Sequence, residues 1–118
     1  MAKNGTVLDN PQGAAPTGIP IGSSNGFPKH ASDTLSTIRL TNAPPSGFRG
    51  GGSFANDGRG GGQVLPGSTT DGTPITYREF DVYPFTPGVN RGLERIVLGS
   101  DGKAYYTSDH YATFAEMM

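Results

Sequence analysis

The chain has 118 residues, 19 of them glycine and 10 proline, with no cysteine and a formal charge of −1. That length holds one domain with a small core; the missing cysteines exclude a disulfide frame and thiolate metal sites, and two histidines, His30 and His110, are too few for a histidine-based zinc site without carboxylates. The near-neutral charge argues against a broad basic surface for nucleic acid, so any nucleic acid must be held locally.

Residues 1–31 alternate Gly, Pro, Ser and Asn with isolated apolar residues such as Val7, Ile19 and Ile21. This composition predicts a flexible arm, because it buries too little surface to offset the entropy of ordering it; GIPIG is the segment that could strap the arm to the domain. The N-terminal sequence lacks the apolar run of a signal peptide, and no eighteen apolar residues occur together. A soluble chain with no membrane partner is expected. The domain is expected over 32–118.

Ser32 or Asp33 is placed to cap a short helix running to Thr41, with Leu35 and Ile38 on one side. The prolines at 44 and 45 end it. Seven of the thirteen residues from Gly50 to Gly62 are glycine, which predicts a loop whose backbone can approach a ligand closely. A short extended piece follows at 63–66. Residues 74–82 read as a strand with Arg78 and Glu79 on opposite faces. Further strands are expected at 95–99, 103–108 and 111–117, with a turn at 100–102. The sum is an α+β fold, with a short N-terminal helix on a twisted antiparallel sheet of about four to five strands.

Four side chains in the last third form a chemical set: Glu79 in YREFDV, Arg91 and Arg95 in NRGLERIV, and His110 in TSDHYATF. RNA carries its own nucleophile. A base that removes the ribose 2′-hydroxyl proton, an acid that protonates the departing 5′-oxygen, and cations on the phosphoryl oxygens suffice to cut it with no metal or organic cofactor. Glu79 fits the base and His110 the acid, and the arginine fork matches two phosphate oxygens. Each residue alone has an ordinary structural role as a surface charge or turn partner, and the glycine-rich loop alone reads as a linker. Their combination carries the prediction.

YREFDV, then ThrProGly, ArgGlyLeuGluArgIleVal and AspGlyLysAlaTyrTyrThrSerAspHisTyrAlaThrPhe together resemble the C-terminal half of the barnase-like, guanyl-specific microbial ribonucleases. The similarity runs from about Ile75 to Phe114 and extends weakly through AspThrLeuSerThrIle and PheAlaAsnAspGly. It implies a microbial ribonuclease fold and a guanyl-specific endoribonuclease. Glu79 would be the general base, His110 the general acid, Arg91 and Arg95 the phosphate cations, and Tyr111 a phosphate contact. The family's base-reading loop presents a Phe, an Asn, an Arg and a Glu; here Phe54 and Asn56 match, followed by Asp57 and Gly58. Three readings stay open: Asp57 supplies the carboxylate, backbone groups read guanine, or base preference is relaxed. The segment between Glu79 and Arg91 is longer than in barnase, an insertion that a turn tolerates.

The expected partner is single-stranded RNA, whose unpaired bases can enter a recognition loop. A ribonuclease behind a Gly/Pro-rich arm suggests a monomeric toxin domain, secreted or delivered into target cells and neutralised by an acidic inhibitor or immunity protein. The alternative is a noncatalytic RNA-binding or immunity-protein-binding module on the same fold. The first half alone would suit a Gly/Pro-rich structural protein.

Overall fold

The computed structural model describes residues 26–117; the arm sequence through residue 25, GIPIG included, lies outside them. The helix α1 spans Lys29–Thr41. It begins three residues before Ser32 because Pro28, in an extended conformation (φ −58°, ψ 144°), turns its carbonyl to the amides of Ala31 and Ser32. Asp33 therefore does not cap the helix; it pairs with Lys29 one turn back at 2.7 Å. Ala31, Leu35 and Ile38, at spacings of four and three, face inward and are buried. Asn42 closes the helix in the left-handed conformation (φ 58°), its amide donating to the Ile38 carbonyl.

Five antiparallel strands follow in chain order across one sheet: β1 (Phe48–Phe54), β2 (Tyr77–Pro84), β3 (Arg95–Gly99), β4 (Ala104–Thr107) and β5 (Ala115–Met117). The predicted glycine loop is thus two things. Its first part is the edge strand β1, and only residues 55–62 form a loop, with a 3₁₀ turn at Arg59–Gly61. Glycine is required at position 50, where β1 shifts register against β2: a Cβ there would lie 2.8 Å from the Phe80 Cα. The piece at 63–66 joins no strand, and β5 begins only at Ala115 because residues 110–114 make a turn.

The pleat of β2 sorts its side chains. Phe80 and Val82 join Ala31, Leu35, Ile38, Ile96, Ala104 and Met117 in the core between α1 and the sheet. Phe80 is fully buried, so truncating it to alanine would cost about 3–5 kcal/mol. The other face carries a smaller cluster of Leu65, Tyr77, Val97 and Tyr105, flanked by Phe54, Ile75, Tyr111 and Phe114. Along that second face, polar residues take over where β2 and β3 continue: Glu79 is followed by Asp81, whose partner in the ladder is Arg95. The apolar cluster gives this polar row a rigid floor.

Candidate active site

Glu79, His110, Tyr111, Phe54 and Asp57 line one cleft of about 320 Å³, together with Ser53, Arg59 and Gln63. Glu79 projects from the middle of β2, with β1 on one side and β3 on the other. The Tyr111 hydroxyl donates to its Oε1. Burial pushes the Tyr111 phenol up, and the neighbouring Glu79 carboxylate pushes it further, while Arg95 pulls the other way. Tyr111 therefore stays a neutral donor at any physiological pH.

The turn carrying His110 and Tyr111 is held in an uncommon backbone conformation. Both residues have positive φ, 55° and 75°, which for residues with bulky side chains costs about 1–3 kcal/mol each. Specific bonds hold them there. The His110 amide donates to the Leu93 carbonyl at 3.0 Å and the Tyr111 amide to Thr107 Oγ1 at 3.0 Å. Asp109 ties the turn together, accepting from Thr107 Oγ1 (2.7 Å), the Thr113 amide (2.9 Å) and Thr113 Oγ1 (2.6 Å). Desolvation pushes the Asp109 carboxyl up, but these donors outweigh it and hold it below its ordinary value. Gly62 then fits directly under the turn: a Cβ there would sit 2.6 Å from the Tyr111 carbonyl oxygen. The Gln63 amide donates to the Ala112 carbonyl and the Phe114 amide to Gln63 Oε1, both at 2.9 Å, so the glycine loop and the histidine turn are joined.

Arg91 and Arg95 meet at a residue that sequence reasoning missed. Asp81, almost wholly buried, accepts a two-point fork from Arg91, with Nε and Nη2 each at 2.7 Å. Arg95, also buried, has its Nε 3.1 Å from Asp81 Oδ1 but off the line of its N–H, so that contact is Coulombic and Nε keeps no aligned acceptor. Its Nη1 donates to the carbonyls of Glu94 (2.7 Å) and Gly92 (3.2 Å). Hydrogen bonding to Asp81 raises the Arg91 guanidinium above its ordinary value, against desolvation, with further support from Tyr111 and Glu79. Two cations on one carboxylate leave a surplus positive charge beside Glu79 and Tyr111. The signal was available: Asp81 stands two residues beyond Glu79 in a strand, hence on the same face.

In the loop, the Asn56 side chain is committed to Leu65, donating to its carbonyl (2.9 Å) and accepting from its amide (2.7 Å). Asn56 thus shapes the loop, with φ at 53°. Among the described residues, the amides of Asn56, Asp57 and Gly58 donate to no protein group. Asp57 accepts from Arg59 Nη2 at 2.7 Å and from Arg59 Nε at 3.1 and 3.2 Å. Phe54 lies against Tyr111, ring centroids 4.9 Å apart, and edge-on to Phe114. Among the described residues, no group of three or more His, Asp or Glu side chains could hold a metal ion, and no helix is long and apolar enough to cross a membrane.

A family model described as ribonuclease matches residues 10–118. Among solved structures, ribonuclease Sa2 complexes with mononucleotides are 35% identical, covering 78% of this chain and 85% of that chain with a TM-score of 0.50. A crystal structure of ribonuclease Sa2 with guanosine-2′-cyclophosphate is 32% identical over 78% of this chain and 87% of that one, with a TM-score of 0.47. No curated protein matches the chain.

Proposed function

Because the chain belongs to the ribonuclease family and is an endoribonuclease, we propose that it cuts single-stranded RNA by metal-independent transesterification. Glu79 takes the 2′-hydroxyl proton, the 2′-oxygen attacks phosphorus, the bond to the 5′-oxygen breaks, and His110 protonates that oxygen. The products are a 2′,3′-cyclic phosphate, slowly hydrolysed, and a free 5′-hydroxyl. Arg91, Arg95 and the Tyr111 hydroxyl hold the phosphoryl oxygens as charge builds on them. The observation that carries this reading is the shared cleft: Glu79, His110 and Tyr111 line it, and on the same strand as Glu79 Asp81 holds the Arg91 fork and faces Arg95.

Total RNA incubated with the purified protein and EDTA is expected to give fragments ending in 2′,3′-cyclic phosphate. Abolition by the chelator would overturn the metal-free chemistry. Glu79→Ala and His110→Ala should each slow cleavage by about two to four decades.

Guanine preference is supported by the amides of Asn56, Asp57 and Gly58, unpaired among the described residues, which suit the guanine O6, and by the carboxylate of Asp57, which lines the cleft. Its test is cleavage of GpA against ApA, CpA and UpA. Equal rates would remove guanine from the account. A toxin role, with an acidic inhibitor seated over Arg91, Arg95 and His110, is supported by the surplus positive charge and by exposed Val64, Val89 and Leu93 on the loops that border the site. Expression without such a partner should be lethal, and Glu79→Ala should relieve the lethality; an equally lethal variant would separate toxicity from RNA cleavage.

A further inference from the structure

Arg59 is the feature of the cleft that the mechanism leaves unused. It follows Asp57 by two residues, lines the same cleft, and lays the two parallel N–H groups of Nε and Nη2 on the Asp57 carboxylate while its own amide donates to Asp57 Oδ1 at 3.1 Å. A guanine base presents the same pattern on its Watson–Crick edge, where N1–H and N2–H form a planar two-donor fork that a carboxylate accepts. We propose that Arg59 is a built-in competitor for guanine: in the free protein its guanidinium occupies the acceptor that would read the base, and substrate must displace it. This inference rests on the proposed guanine preference and assigns Arg59 the setting of its strength.

Three observations favour competition over a permanent structural pair. The Arg59 side chain is 81% exposed, so no packing holds it on the carboxylate. Glycines at 58, 60, 61 and 62 surround it, and Gly58 and Gly60 take left-handed φ values of 70° and 75°, so few steric restraints oppose its departure. The loop's anchors lie elsewhere, at Asn56 with Leu65 and at Gln63 with Ala112 and Phe114, so opening the pair leaves the frame intact. An exposed pair of this kind is closed only about 1.5 to 5 times as often as it is open. Arg59 therefore tunes affinity and does not lock the site.

Binding of guanosine 3′-monophosphate and adenosine 3′-monophosphate would be measured by calorimetry on the full chain and on Arg59→Lys, Asp57→Asn and the double variant. Arg59→Lys keeps the charge but loses the planar fork. It is expected to bind the guanosine nucleotide about two- to sixfold more tightly, with adenosine binding unchanged. Asp57→Asn should weaken guanosine binding by about tenfold or more, and Arg59→Lys should add nothing in that background. If the unaltered protein binds both nucleotides alike, the guanine preference fails and this inference fails with it. If it discriminates, but Arg59→Lys leaves guanosine binding unchanged, weakens it, or tightens both nucleotides equally, only the competition is overturned.

Discussion

Asp81 supports the proposed chemistry without belonging to it. Its carboxylate is buried and faces Arg91 and Arg95 together, so it neutralises one charge, aims the Arg91 fork and attracts the Arg95 guanidinium. Arg95 is the more dependent of the pair: its side chain is 5% exposed against 44% for Arg91, and a buried cation stripped of its counterion costs about 3–5 kcal/mol. Asp81→Asn, which keeps the shape and removes the charge, is therefore expected to destabilise the protein by about that amount and to lower kcat/KM. Arg91→Gln should cost clearly less stability, because Asp81 and Arg95 still face each other. Urea unfolding of both variants checks the order, and a larger loss for Arg91→Gln would show that the buried pair is not the anchor. Glu79, Arg91, Arg95 and His110 were visible in the sequence as candidates because the proposed chemistry asks for those residue types. Asp81 was hidden because a carboxylate that serves two other residues has no motif of its own.

At the level of elements, α1 is pinned to the sheet by a polar contact as well as by the core. His30 Nε2 and Glu94 Oε1 are 2.6 Å apart, the Tyr106 hydroxyl donates to the same oxygen at 2.6 Å, and the His30 ring stacks on Tyr83. The His30 hydrogen bond, against the opposing effect of desolvation, and then the Tyr106 hydroxyl hold the Glu94 carboxyl below its ordinary value. A carboxyl with a lower pKa folded than unfolded adds stability that is present above the unfolded pKa and is lost as pH falls through the folded one. The stability advantage of the natural chain over Glu94→Gln should therefore be largest near neutrality and shrink on acidification below about pH 4.5. Urea unfolding from pH 3 to 7 measures it; a constant advantage would sink the linkage. The edge strand supports a second test. Gly50→Val would drive its Cβ against the Phe80 backbone, with an expected loss of at least 1–3 kcal/mol, visible as a lowered Tm. β1 escaped the sequence reading because Gly50, Gly51 and Gly52 carry no alternating side chains, whereas RIVLG declared β3 to the residue. The helix start was displaced for a related reason: Pro28 supplies the first acceptor from its main chain, and side-chain rules look for Ser or Asp.

For the whole molecule, the balance of charge decides how RNA is held. A formal charge of −1 gives no general attraction to a polyanion, so affinity must come from the few cations at the cleft. Arg91 and Arg95 are partly neutralised by Asp81, and Arg59 is paired with Asp57 for much of the time. Only about two or three phosphates can then be neutralised at once, and for single strands the logarithm of affinity falls with the logarithm of salt by about 0.7 per phosphate. The expected slope is about −1.4 to −2.1, measured as binding of a short single-stranded oligonucleotide to the Glu79→Gln protein across a range of salt concentrations. Arg59→Lys should leave that slope unchanged, because it alters the shape of a charge and not its number, while Arg95→Gln should reduce it by about 0.7. A slope near −5 would mean that cations far from the cleft track the chain, and the local grip inferred from composition would give way to a distributed one.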